Sequence, residues 1–396
     1  MTTCVSKTAE RIAKLQAMLV EQDIDVAILQ YATDLYYYTG SLQPSYLLVP
    51  RDGEPCVLAR KSLVRIDEEV LDIPLYAFSG TKDLCAILDQ TGACKAKRIG
   101  FTTDTASYTA VQRFQRLCPQ SEIVDISWNI RLLRMVKSAE EVALLTAAGE
   151  VMARVPDWAC AHFTPGMTEL ALSAALEYNF RLCGHDALIR CRREGVEMSG
   201  CGVCASGEQT LAGTKFEGIC GGTGLSPAVP YGATQQRIKP GMPILLDFAF
   251  VSGGYHLDQT RMACWGQPSD TIKRAYEAML DVQHVAFTAM RPGTSWEEVY
   301  RCARTRATEL GYADTFMGVG REQVSFIGHG VGLELDEPPF LAPRMPYPLE
   351  VGMTIAVEPK VALPGIGVVG IEDTVVIHED GPVRLTICPQ DIISLA

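Results

Sequence analysis

Apolar positions recur at helical spacing over residues 7–22, where Ile12, Leu15, Met18 and Leu19 form one stripe, and the apolar run Asp25–Leu29 reads as a buried strand. Tyr36 to Gly40 reads as a turn, and Tyr46–Val49 and Val57–Leu58 as strands split by the Arg51-Asp52-Gly53 turn. Strand and helix patterns alternate to about residue 130, which predicts an α/β unit with a mixed or parallel sheet. A new pattern opens near Arg134. Ser138-Ala139-Glu140-Glu141 is a capping box, in which the serine hydroxyl and the glutamate each satisfy a free backbone N–H of the first turn. The helix it starts carries Val142, Leu145, Ala148, Met152 and Val155 on one face. Further helices are expected over 168–182, 270–290 and, after a second capping box at Ser295–Glu298, 296–310. Apolar strand runs at 244–251, 256–264, 353–361 and 367–377 lie between and after them. Helices interleaved with antiparallel hairpins predict an α+β unit, so the chain divides into 1–133 and 134–396.

Composition narrows the class of function. A formal net charge of −12 with no basic cluster argues against general affinity for nucleic acid or an anionic membrane surface. No stretch approaches the ~20 uninterrupted apolar residues of a membrane helix. Met1 to Glu10 carries neither an apolar signal core nor an Arg-rich presequence, and a cytoplasmic protein is expected. The 14 cysteines are scattered singly and read as small buried apolar residues of a reducing compartment. Cys201 and Cys204 form a CxxC that could be half a zinc site or a redox pair, but no second pair or nearby histidine completes it.

The chemistry gathers in two hairpins. In residues 244–262, two strand patterns flank Ser252-Gly253-Gly254. A turn centred between Ser252 and Gly253 places Asp247 directly opposite Asp258. Facing like charges destabilise a sheet unless something compensates them, and both aspartates sit in apolar runs. A shared cation removes both problems, although either aspartate alone could be a solvated edge charge. In residues 356–377, a turn centred on Gly365 places Glu358 opposite Glu372, again inside apolar strands. Between the hairpins lies His329, flanked by Gly328 and Gly330; alone, such a histidine is more often structural than a ligand. Four inward carboxylates and one imidazole make a hard, oxygen-rich set suited to Mn²⁺, Fe²⁺, Co²⁺ or Zn²⁺.

The order Asp-x₁₀-Asp, His in GHGxG, Glu358 in VEP and Glu372 in IED resembles the pita-bread superfamily, which holds methionine aminopeptidase, aminopeptidase P, prolidase and creatinase. Asp258-Gln259-Thr260-Arg261 matches the D-x-T-R of that group. The first unit, through RIAKLQAMLVEQDIDVAIL and YYYTG, is similar to the creatinase/prolidase N-terminal domain. The resemblance implies a pita-bread catalytic unit binding two divalent ions, Mn²⁺ first, with Co²⁺, Fe²⁺ or Zn²⁺ as alternatives. Asp247 would chelate one ion, Asp258 and Glu372 would bridge both, and His329 and Glu358 would complete the second. Glu358 would take the proton of the attacking water. A homodimer is implied, with the first unit shaping the pocket entrance.

The surroundings of the ligands depart from that pattern. Tyr231 stands at or near the place of one auxiliary histidine, and Asp336 at that of another. Gly370 replaces a frequent arginine, and Lys360 replaces the glycine after Glu-Pro. Tyr231 and Asp336 are therefore the candidate helpers beside Glu358. The expected activity is hydrolysis of a C–N bond, most simply in a short Xaa-Pro peptide. Two alternatives stand beside it. One is creatinase-like hydrolysis or lyase chemistry on a small charged metabolite; the other is an inactive scaffold used for binding, disfavoured because all five ligands are kept.

Overall fold

The computed structural model describes residues 5–192, 198, 200–215 and 218–396, and the chain forms two compact units, Met1–Arg134 and Met135–Ala396. In the first, β1 (Val26–Leu29), β2 (Tyr46–Pro50), β3 (Cys56–Ala59), β4 (Leu75–Ala77), β5 (Arg98–Phe101) and β6 (Glu122–Asp125) form one sheet in the order β4-β3-β2-β1-β5-β6. The sheet is mixed: β2 runs antiparallel to β1 and β3, and the other pairings are parallel. Central β1 is buried along its whole length, which is why its sequence is an unbroken apolar run. Segment 36–40 is not the expected turn. It ends a helix, Ala32–Thr39, and Gly40 caps it at φ 76° with its N–H on Tyr36 O. Glycine takes that left-handed conformation without Cβ strain, so its signal here is a helix stop.

In the second unit the box at Ser138 and Glu141 is complete and opens the helix Ala139–Met152. At Ser295 only half of the expected box forms: Ser295 Oγ accepts from Glu298 N, while the Glu298 carboxylate binds Arg301. The strands are β7 (Gly202–Ser206), β8 (Pro243–Ser252), β9 (Tyr255–Trp265), β10 (Gly328–Gly330), β11 (Glu337–Phe340), β12 (Thr354–Val357), β13 (Lys360–Leu363), β14 (Gly367–Gly370), β15 (Glu372–His378), β16 (Gly381–Arg384) and β17 (Ile393–Leu395). Among the described residues, nine of them form a sheet along β11-β10-β12-β15-β9-β8-β7, with β16 beside β15 and β17 beside β9. Only β17 pairs in parallel. β13 and β14 make a separate ribbon.

Two register details position the site. Ser252 faces Tyr255, so Gly253 and Gly254 are the two-residue loop, with φ 57° and 80°. Such a loop needs positive φ at both positions, which moves the turn one residue past the expected centre. Asp247 therefore faces Thr260, and Asp258 faces Ala249. The pairing shifts by two positions, an even slip, so both aspartates stay on one face. The second hairpin keeps its centre on Gly365, with Val357 opposite Asp373 and Lys360 opposite Gly370. Its arms are not continuous, however. Pro359 has no N–H to donate, and the ladder breaks into two sections around Pro359 and Ile371. Glu358 stands at that break, its own N–H donated to Ile327 O.

Candidate metal centre

Glu372 faces Thr260, and Thr260 faces Asp247, so three adjacent strands carry one row of side chains on a common face. Asp258 lies two residues along β9, and β10 brings His329 in from beside β12. One ligand atom each from Asp258, His329 and Glu372 lies within 4.8 Å of the others. His329 Nε2 stands 3.6 Å from Glu358 Oε1 and 4.0 Å from both Asp258 Oδ2 and Glu372 Oε1. Its Nδ1 points to Gly330 O at 3.2 Å, which leaves Nε2 for the cluster.

All four of these side chains are buried, and their protonation reflects crowded negative charge. Burial, followed by the charges of Glu372 and Asp247, holds the Asp258 carboxyl well above its ordinary range. Burial also pushes Glu372 up to about 7, despite the opposing pull of Lys360. Burial draws the His329 imidazole down, but Asp336, Glu358 and Glu372 outweigh it and raise its pKa. A divalent cation would relieve each of these. Glu372 also offers it a specific atom. Its Oε2 accepts from Thr260 Oγ1 at 2.7 Å and Lys360 Nζ at 3.0 Å, while Oε1 is buried with no hydrogen-bond partner among the described residues. An orphaned carboxylate oxygen beside an imidazole nitrogen and a second carboxylate fits one divalent ion.

The second ion expected from the sequence meets a different occupant. Lys360 is fully buried, and its Nζ lies 2.6 Å from Glu358 Oε2, 3.0 Å from Glu372 Oε2 and 3.4 Å from Asp247 Oδ2. Burial opposes its charge, but the carboxylates of Asp247, Glu358 and Glu372 outweigh that and hold the amine well above its ordinary pKa. Asp247 Oδ2 also accepts the Cys220 Sγ–H at 3.2 Å. The five expected ligands are thus brought together, but a lysine stands among them. The sequence marked Lys360 only as a departure. The cross-strand position of Gly370, implied by a turn centred on Gly365, was the available clue to its role.

Asp336 is half-buried, and its charge reaches both His329 and Cys191. Tyr231 is half-buried in the loop before β8, its backbone against Gly224. Glu337, next to Asp336, is engaged by buried Lys137 at 2.6 Å. Cys201 and Cys204 are buried, and burial pushes both thiols up, Cys201 to about 12. Among the described residues they join no group of three metal-ligating side chains. Arg261 was legible only as a motif letter. It lies fully buried, donating to Thr260 O, Glu372 O, Cys388 O, Pro389 O and Asp373 Oδ1, and so clamps the strands beneath the cluster.

Comparison with known proteins agrees with this architecture. Residues 143–379 match the profile of metallopeptidase family M24, and residues 11–136 that of the Creatinase/Prolidase N-terminal domain. The chain is 28% identical over 388 residues to an Xaa-Pro dipeptidase of Pyrococcus furiosus, covering 97% of this chain and 99% of that one. It is 27% identical over 391 residues to an uncharacterized peptidase of Bacillus subtilis, covering 97% and 100%. The structure of an Xaa-Pro dipeptidase from Bacillus anthracis superposes with a TM-score of 0.82 at 25% identity, covering 98% of this chain and 100% of that one.

Proposed function

Because this chain belongs to metallopeptidase family M24 and is Xaa-Pro dipeptidase-like, we propose that it hydrolyses the C–N bond of short Xaa-Pro peptides at a site held by Asp258, His329 and Glu372. The observation that carries this reading is the orphaned Glu372 Oε1 within the three-ligand cluster. Mn²⁺ is the expected ion, with Co²⁺, Fe²⁺ and Zn²⁺ as alternatives. A divalent ion bound there would lower the pKa of a water ligand toward neutrality and polarise the carbonyl under attack.

The chain's own residues supply the rest. Glu358 Oε2 is tied to Lys360, and Oε1 faces the cluster 3.6 Å from His329 Nε2. A carboxylate anchored by one oxygen and open at the other can accept a proton from the attacking water and return it to the leaving nitrogen. Thr260 and Lys360 together fix Glu372 Oε2, which orients Oε1. Asp336 supplies negative charge on the His329 side, where it would favour a substrate with a cationic group such as a free amine. Tyr231 is the proposed phenolic donor to substrate. The catalytic unit is assigned to 134–396 and the creatinase/prolidase-like unit to 1–133, in a cytoplasmic homodimer.

The test pairs metal analysis of Mn²⁺- and Co²⁺-loaded protein with assays on a panel of Xaa-Pro dipeptides. Asp258→Ala is expected to lose both bound metal and turnover. Bound metal with every peptide intact would remove the peptidase reading in favour of hydrolysis or lyase chemistry on a small charged metabolite. The buried lysine among the carboxylates favours that second reading, because it alters the charge offered to substrate. No metal and no turnover would leave a binding scaffold.

A further inference from the structure

An ammonium group offers three N–H donors and no acceptor. Lys360 donates to Glu358 Oε2 at 2.6 Å and Glu372 Oε2 at 3.0 Å, and pairs with the charge of Asp247 Oδ2 at 3.4 Å. A divalent ion on those same oxygens would lie about 2.0–2.2 Å from each, within the space that Nζ fills. Ion and ammonium would also repel strongly in a buried site. The lysine is built into the fold. Lys360 and Gly370 are direct cross-strand partners, and a Cβ at Gly370 would stand 2.5 Å from Lys360 Cγ and 2.6 Å from its Cα. It would also stand 2.5 Å from Pro359 O, so the facing backbone as well as the lysine stem excludes a side chain at 370. The two departures noted in the sequence, Lys360 and Gly370, thus face each other across a single strand pair.

Resting on the reading that this cluster binds metal, we infer that the Lys360 ammonium is a resident cation that takes the place of one of the two expected ions. The chain then holds a single divalent ion at Asp258, His329 and Glu372. Asp247 is consequently not a metal ligand. It holds Lys360 in place, with the Cys220 thiol on the same oxygen.

The experiment counts metal per chain in Mn²⁺-saturated, desalted protein and records its electron paramagnetic resonance. Wild type is expected to hold one ion with the signal of an isolated Mn²⁺, and Asp247→Ala still one. Lys360→Gly is expected to hold two, with exchange-coupled Mn²⁺, and Lys360→Gly with Asp247→Ala to fall back to one. Two ions in the wild type, or no gain in Lys360→Gly, would overturn the inference. If Lys360→Gly does not fold, the wild-type and Asp247→Ala counts decide. One ion in both supports the inference, and a count that falls in Asp247→Ala overturns it. Peptide cleavage is scored separately. A wild type that binds no ion at all defeats the function proposed above, while a gained ion in Lys360→Gly would still support the role of Lys360, and the lack of one would refute it.

Discussion

Arg261 shows how much of the site depends on a residue that holds Thr260 and Glu372 by their main-chain carbonyls. Its guanidinium has five N–H donors, and all five are used: Nε to Pro389 O, Nη1 to Thr260 O and Glu372 O, and Nη2 to Cys388 O and Asp373 Oδ1. Removing one partner of a buried ion pair leaves the other charge uncompensated, so Arg261→Met should cost about 3–5 kcal/mol in denaturant unfolding. Arg261→Lys should recover only part of this, because an ammonium cannot reproduce the planar fork. Glu372 O is one of the acceptors. The lysine variant should therefore also bind Mn²⁺ about 10–100-fold more weakly, as loss of a supporting partner does in metal sites. Unaltered affinity in a destabilised Arg261→Lys would confine Arg261 to a stability role. At this scale the gathering of acidic side chains was readable in the sequence, because carboxylates inside apolar runs demand compensation. The identity of the compensating cation was not. A lysine two residues after a glutamate in sequence gives no sign of whether it turns inward or outward.

At the scale of elements, the first hairpin illustrates a pattern that was legible and a detail that was not. Alternating apolar strands around Ser252-Gly253-Gly254 announce the hairpin, yet two turn centres fit those letters. The structure selects Gly253 and Gly254 because both loop positions have positive φ. A β-branched residue at such a position carries strain of about 1–3 kcal/mol. Gly254→Val should therefore lower the melting temperature measurably, whereas Gly253→Asn, which tolerates the left-handed region, should change it little. Equal effects of the two would argue against this turn geometry. The helix start at Ser138 was readable as a capping box, and Thr168, where the expected 168–182 helix begins, caps that helix in the structure. At Ser295 the box is only half formed because Arg301, one turn on, competes for the Glu298 carboxylate.

At the scale of the whole molecule, a buried histidine far from the ligand row in sequence predicts loss of stability in acid. His185 Nε2 donates to Ala249 O at 2.9 Å, and Nδ1 accepts from Ala187 N at 2.7 Å, so the ring is neutral in the fold. Burial lowers its pKa below the ordinary value of about 6.5. The unfolded chain then binds the proton first as pH falls. The stability contributed by neutral His185 is present above about pH 6.5 and is lost on acidification toward its depressed folded pKa. The melting temperature should fall between pH 7 and 5, and His185→Gln should make that fall shallower. An unchanged fall in the variant would assign the lability to other groups. The sequence by itself determined the class of the fold, the two hairpins and the carboxylates they carry. Those follow from short-range rules: period-2 and period-3.6 burial, turn chemistry, and the cost of placing charge in apolar strands. Only the tertiary structure decided the pairing register at Asp247 and Asp258, the break at Pro359, and the placement of the Lys360 ammonium among three carboxylates. Each depends on neighbours distant along the chain, because burial is set by what packs from across the sheet.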